Sequence, residues 1–304
     1  MEYVLKTNSL KKYYGSYKAL NGVTMNVPKG AIYGFVGKNG AGKTTLIRLI
    51  CGLQEPSEGE YFIYGIGNRQ KEIVKSRRRM GAVVETPSVY LEMTAVDNLK
   101  QQYRVLGLPS FDGIADILKL VGLENTGRKK VKNFSLGMRQ RLGIAIALAG
   151  DPDFLLLDEP VNGLDPQGIV EIRELILKLN QEHAITVLIS SHILDELSKL
   201  ATHFGFIDNG RIIKEISAAD LESICRKRIH LTVSDTKVLS RVLDECGLEY
   251  RILSEYEADI FGKISVTELT LKLSAQDCEV RSMKECDESL ENYYINLVGG
   301  GRNV

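Results

Sequence analysis

Apolar positions follow two rhythms along the chain. Short apolar or alternating runs come first, at Tyr3 to Thr7, Ala19 to Val27, Ala31 to Val36, and Glu60 to Tyr64 after Pro56-Ser57-Glu58-Gly59. Their β-branched and aromatic content and the turn residues around them predict strands. After Pro87 the period changes. Thr94 opens a T-x-x-D capping pattern with Asp97, and Ile114, Ile117, Leu118 and Val121 repeat at helical spacing. Residues from about 94 to 150 therefore read as mostly helical, an insertion in a strand-based core. Phe154 to Leu157 is apolar without interruption, as a strand buried on both faces requires. An amphipathic helix around Ile169 to Leu179 leads to a second such strand, Ile185 to Ile189, which makes a β-α-β crossover in a parallel sheet. Phe204 to Ile207 and Ile212 to Ile216 flank Asp208-Asn209-Gly210, where Asn-Gly suits a tight hairpin turn with positive φ.

Beyond about Cys225 the alternation starts again. Strand-like Ile229 to Val233, helix-like Lys237 to Cys246, strands near Glu249 to Leu253 and Glu257 to Phe261, helix Val266 to Ala275 and strand Glu279 to Met283 give β-α-β-β-α-β. A small ferredoxin-like domain is the simplest packing of that order. Leu290, Tyr293, Tyr294 and Leu297 mark a closing amphipathic helix before Gly299-Gly300-Gly301. The expected organisation is an α/β core domain over 1–222 with its helical insertion at about 87–150, a small α+β domain over 223–298 that covers or regulates it, and a flexible tail over 299–304.

Composition narrows the function. The 304 residues hold 39 Lys and Arg against 39 Asp and Glu. That balance gives no overall basic field of the kind that drives non-specific nucleic-acid binding, so a nucleic-acid partner is not expected. Arg77-Arg78-Arg79 and Arg128-Lys129-Lys130 are charge runs of the kind that usually line a solvated face. Cys51, Cys225, Cys246, Cys278 and Cys286 are odd in number and contain no C-x-x-C pair. A disulfide framework and a zinc site are both disfavoured, and a reducing cytoplasm is expected. No run approaches the roughly 18 apolar residues of a spanning helix.

Gly37-Lys38-Asn39-Gly40-Ala41-Gly42-Lys43-Thr44 fits G-x-x-x-x-G-K-[ST] and stands between the strand ending at Val36 and a helix-like run from Thr45 to Cys51. A loop of this kind wraps backbone N–H groups and a helix N-terminus around a triphosphate. Lys43 is expected to reach the β- and γ-phosphates, the Thr44 hydroxyl to ligate Mg²⁺, and Thr45 to continue the cradle. Asp158 and Glu159 follow the buried strand at its C-terminal end, where open α/β sheets bind ligands. Asp158 is expected to hold Mg²⁺ beside Thr44, and Glu159 to orient and deprotonate the water that attacks the γ-phosphate.

Together with Ser135-Leu136-Gly137-Met138-Arg139-Gln140-Arg141, Leu155 to Pro160, Gly163-Leu164-Asp165-Pro166 and Ser190-Ser191-His192, the phosphate loop completes a set whose order and spacing resemble ABC transporter ATPase domains over residues 1 to about 220. Phe134 to Met138 and the closing Ser289 to Tyr294 resemble the bacitracin-resistance and lantibiotic-immunity exporters of that family. The resemblance implies an ATPase that binds ATP and Mg²⁺ and works as a head-to-tail homodimer closed by ATP. It implies docking on a separate polytopic membrane permease, on the inner face of the cell membrane. Ser135 and Gly137 would meet the γ-phosphate bound by the other subunit, Asp165 would sit at the subunit junction, and His192 would bridge γ-phosphate and attacking water. Taken alone, His192 is equally a satisfied core histidine. Tyr14 occupies the place of the adenine-stacking aromatic; Tyr13 is the competing candidate, and strand packing accounts for either. The chain departs from the family at Leu136 and Met138, where glycine and glutamine are usual, and at Glu85, where glutamine contacts Mg²⁺. A carboxylate remains able to bind Mg²⁺ and adds negative charge. A soluble ABC ATPase of macromolecular assembly or remodelling is the alternative function.

Overall fold

The computed structural model describes residues 2–225, 228–262, 264–286 and 290–299. The chain divides into two compact units, Met1–Ala218 and Ala219–Val304. The first opens with β1 (Tyr3–Tyr14), β2 (Tyr17–Pro28) and β3 (Ile32–Val36), then α1 (Lys43–Ile50), β4 (Glu58–Ile63), β5 (Ile66–Gly67), α2 (Ile73–Arg77) and β6 (Met80–Val83). Helices α3 (Ala95–Leu106), α4 (Ile114–Leu120) and α5 (Leu136–Leu148) form the insertion. There follow β7 (Phe154–Asp158), α6 (Pro166–His183), β8 (Thr186–Ser191), α7 (Leu194–Ser198), β9 (His203–Asp208) and β10 (Arg211–Ser217).

Two sheets result. One is antiparallel, in the order β2-β1-β4-β5; the other runs β10-β9-β3-β8-β7-β6. In the second, β9, β3, β8, β7 and β6 are parallel and β10 closes one edge through the predicted hairpin. Asn209 and Gly210 have φ of 46° and 73° there, as a tight hairpin turn of this type demands. Leu5, Leu10, Leu20 and Val23 of the antiparallel sheet share one core with Leu46, Ile47 and Ile50 of α1 and Phe35, Leu156 and Leu188 of the parallel sheet. α1, and with it the loop that precedes it, is thus clamped from both sides.

Boundaries differ from the sequence expectation at the N-terminus. β1 and β2 are twelve residues each, longer than their apolar runs. Lys11↔Asn21 and Tyr14↔Tyr17 continue the ladder through polar sequence, because backbone pairing needs no apolar side chain. Within the Arg77–Arg79 run, Arg78 and Arg79 are exposed, as a solvated face requires, and Arg77 is half-buried. Arg77 donates to Ile50 O and the Tyr61 hydroxyl, and Arg79 pairs with Asp153 and stacks over the Tyr64 ring. Lys130 of the other run pairs with Glu92.

The second unit contains α8 (Ala218–Cys225, with Ala218 in the first unit), β11 (Arg228–Val233), α9 (Thr236–Glu245), β12 (Glu249–Ile252), β13 (Glu257–Phe261), α10 (Val266–Ser274), β14 (Val280–Cys286) and α11 (Leu290–Gly299). Its antiparallel sheet has the order β12-β13-β11-β14, the ferredoxin-like arrangement. Leu239, Val242, Leu243, Leu269 and Leu273 of α9 and α10 pack on Leu231, Val233 and Ile260. Of the flexible tail expected over 299–304, Gly299 instead ends α11, because the helix runs one residue into the glycine segment, and residues 300–304 lie outside the described residues.

β6 meets α5 at closest range at Gly81, where an added Cβ would lie 2.3 Å from the Ala147 carbonyl oxygen. Backbone cannot yield as a side chain can. Gly81→Ala is expected to lower stability by about 1–3 kcal/mol in urea unfolding. Gly150→Ala, whose Cβ would meet nothing nearer than 3.6 Å, should leave the transition nearly unmoved.

Candidate functional site

The parallel strands end together, and the polar residues beyond them converge. The loop Gly37–Gly42 leaves β3 and enters α1, which begins at Lys43. Its glycines are needed for different reasons. A Cβ on Gly37 would lie 2.6 Å from Ile207 Cγ2, and one on Gly42 would lie 2.6 Å from the Ala19 carbonyl oxygen. Gly40 has open space but φ of 79°, a left-handed backbone that other residues adopt at a cost. Asn39 and Gly40 are exposed, Ala41 and Lys43 are buried, and Thr44 and Thr45 are half-buried.

Lys43 is 5% exposed, and its ammonium donates to Gly37 O at 2.6 Å and Lys38 O at 3.2 Å. It also lies 3.1 Å from Glu159 Oε1, close enough for an ion pair but without hydrogen-bond alignment. The other Glu159 oxygen is 2.8 Å from His192 Nδ1. Lys43, Glu159 and His192 thus form one chain of contacts, the first two contributed by α1 and the exit of β7, the third by the exit of β8. Glu159 has φ of 49°, and its backbone N–H donates to both the carbonyl oxygen and Oγ of Ser190, at 3.1 Å and 3.0 Å. Those bonds hold it in the left-handed region that a glutamate otherwise avoids.

Asp158, 1% exposed, accepts from Ser190 Oγ at 2.6 Å through Oδ1. Its Oδ2 is buried without a hydrogen-bond partner among the described residues. A buried carboxylate oxygen left unpaired is costly. Together with a glycine cradle and a buried ammonium, it matches the donor set that a magnesium triphosphate needs, and the residues present fit that group. Behind the site, burial pushes the Cys51 thiol up to about 12, and the Asp158 charge adds to the rise. This cysteine stays a neutral packing residue.

Other expected residues stand apart from this chain of contacts. Ser135 caps α5 by accepting from Met138 N–H at 3.2 Å, and a Cβ on Gly137 would come within 3.9 Å of Leu164. Asp165 caps α6 through Gly168 N–H at 3.1 Å. These segments adjoin, since a Cβ on Gly163 would lie 3.4 Å from Leu136. Glu85 is more than half exposed and pairs with Arg48 Nη2 at 2.5 Å, so its carboxylate is engaged by a cation of α1. The Tyr14 ring is 43% exposed, its hydroxyl donates to Gln54 Oε1, and Lys12 stands over the ring. Tyr13, half-buried, is tied through its N–H to Ser57 Oγ at 3.0 Å.

Three contributors were not apparent in the sequence. Ser190 supports both acids, Arg48 neutralises Glu85, and Tyr17 donates its hydroxyl to Gly40 O at 3.2 Å. Ser190 stands in a recognisable motif, yet its double role depends on β8 lying beside β7. Arg48 and Tyr17 carry no signal in sequence.

A family model described as ABC transporter matches residues 20–162. The bacitracin transport ATP-binding protein BcrA of Bacillus licheniformis is 39% identical over 310 residues, covering 99% of each chain. The lantibiotic transport ATP-binding protein SrtF of Streptococcus pyogenes is 45% identical over 212 residues, covering 70% of this chain and 90% of that one. Among solved structures, the dimeric ATP-binding cassette MJ0796 in a post-hydrolysis state with ADP and Pi superposes with a TM-score of 0.63 at 27% identity, covering 70% of this chain and 98% of that one. Identity sustained over the whole length, the matched model and the cassette fold agree with the site: the chain belongs to the ABC transporter family, as an ATP-hydrolysing cassette of it.

Proposed function

We propose that this cassette powers a separate polytopic membrane permease that exports a peptide antibiotic or a similar amphiphile. The reading rests above all on one observation, the contact of Glu159 with both Lys43 and His192 beside the phosphate loop. The names of the bacitracin and lantibiotic relatives support the cargo class. Among the described residues no helix is long and apolar enough to cross a membrane. The reading assigns the transport path to the permease and the cassette to the inner face of the membrane.

In this reading the cradle from Gly37 to Thr45 binds the triphosphate, and Tyr14 stacks on the adenine. Lys43 exchanges its loop carbonyls for β- and γ-phosphate oxygens, which frees Glu159 from the ammonium. Thr44 and Asp158 would hold Mg²⁺, which when bound would offset negative charge on the triphosphate. Glu159 takes a proton from the attacking water as the water oxygen bonds to the γ-phosphorus and the bond to the β–γ bridging oxygen breaks. His192 orients Glu159 through Nδ1 and contacts the γ-phosphate. A second copy, head to tail, brings Ser135 and Gly137 to that phosphate, with a helix N-terminus behind them. Asp165, at the start of α6 beside that segment, links the two sites. Glu85 is assigned a tuning role, with Arg48 as its partner.

Glu159→Gln should slow turnover by about 10²–10⁴-fold while nucleotide stays bound; full activity would remove Glu159 from the base role. Ser190→Ala leaves Asp158 with two unpaired oxygens and loosens the left-handed backbone at Glu159. Turnover is expected to fall about tenfold, with a stability loss of about 1–3 kcal/mol, measured by steady-state kinetics and urea unfolding. Affinity capture of tagged Glu159→Gln protein from solubilised native membranes with ATP and Mg²⁺ tests the partner. Recovery of a polytopic membrane protein supports the transporter motor. Recovery of soluble proteins alone moves the assignment to macromolecular assembly.

A further inference from the structure

The C-terminal edge of the parallel sheet gathers more acid than Lys43 can neutralise. β6 lies beside β7 with Val83 opposite Leu157. Glu85 and Glu159 each follow that pair by two residues, where the chain has left the sheet. Glu85 and Glu159 both leave their strands in left-handed backbone, at φ 59° and 49°. α1 meets the pair with two cations. Lys43, in its first turn, stands 3.1 Å from Glu159, and Arg48, in its last turn, stands 2.5 Å from Glu85. Just beyond, Pro87 seats against α5 so closely that a Cβ on Gly143 would lie 2.7 Å from its ring. The segment carrying Glu85 is therefore held at one end by an ion pair and at the other by packing.

We propose that Arg48 is a positioning residue of the nucleotide site. It holds the Glu85 carboxylate against α1, so that a third acid neither repels the triphosphate nor enters the Mg²⁺ shell beside Asp158 and Thr44. The inference rests on the phosphate-loop reading above. Its physical content is a charge balance. When Lys43 turns to the phosphates, Arg48 still answers an acid at this edge. Without it, Glu85 repels uncomplexed ATP, whereas ATP complexed with Mg²⁺ carries less charge and offers Glu85 a hard cation to ligate. Loss of Arg48 should thus weaken binding of free ATP more than of the Mg²⁺ complex. An amide at position 85 should cancel the effect, since it carries no charge.

The test is equilibrium binding of ATP to the full chain, with EDTA or with Mg²⁺, for Arg48→Ala, Glu85→Gln and the double variant. Arg48→Ala should weaken Mg²⁺-free binding about three- to tenfold at low salt, with the loss shrinking at about 0.5 M salt as screening shortens the reach of the charge. It should steepen the dependence of affinity on Mg²⁺. Adding Glu85→Gln should restore both, and Arg48→Lys should keep most of the wild-type affinity. Unchanged binding in Arg48→Ala, or a loss that persists in the double variant, would make Arg48 merely structural and overturn the proposal. Lys43→Ala separates the two levels of the argument: if it binds ATP as tightly as wild type, the phosphate-loop reading itself fails.

Discussion

The buried hydrogen bond from Ser190 Oγ to Asp158 Oδ1, 2.6 Å long, joins the exits of β7 and β8. β7 and β8 are buried along their whole length, so the sheet needs them for its core. Polar groups appear only at the ends of these strands, Thr186 where β8 enters and Asp158, Ser190 and Ser191 where the two leave. Asp158 is carried at 1% exposure and must be satisfied. Ser190 supplies one partner and, from the same hydroxyl, receives the Glu159 N–H. A single residue on β8 thereby fixes the side chain of one acid and the backbone of the next. The left-handed turn at Glu159 then points its carboxylate between Lys43 and His192.

What the acids require, α1 provides. The helix is held by the shared core of both sheets, and the glycines of the loop before it allow approaches to Ile207 and Ala19 that a Cβ would forbid. Fixed in this way, α1 presents Lys43 and Arg48 from opposite ends to acids that leave neighbouring parallel strands. Charge is balanced locally, pair by pair, in a chain whose overall charge is zero. Removing one partner of such a pair matters more than the pair's net strength suggests, because the remaining carboxylate stays among other carboxylates.

Legibility of the site followed the range of the interactions. The G-x-x-x-x-G-K-T pattern could be read because it lies within eight consecutive residues, and the strand that ends at Asp158 because a doubly buried strand must be apolar throughout. Glu85 could be singled out as an acid near the site, but its partner could not be named. The ion pair exists only because parallel register brings the exit of β6 to the level of the helix that follows β3. The same holds for Tyr17 on Gly40 O, a contact set by a hairpin of two twelve-residue strands whose polar half carries no apolar signal.

By itself, then, the sequence determined most of the element order, without β5, α2, β6, α7 and α8, together with the G-x-x-x-x-G-K-T pattern and the identity of Asp158, Glu159 and His192 as polar residues at strand exits. These are consequences of period, composition and short spacing, which act within a few residues. The tertiary structure alone decided that Ser190 serves both acids, that Arg48 pairs with Glu85, and that Arg77 reaches Ile50 O and the Tyr61 hydroxyl. Those outcomes depend on which strands become neighbours and in what register. That is settled by burial of the whole core and not by any one segment of it.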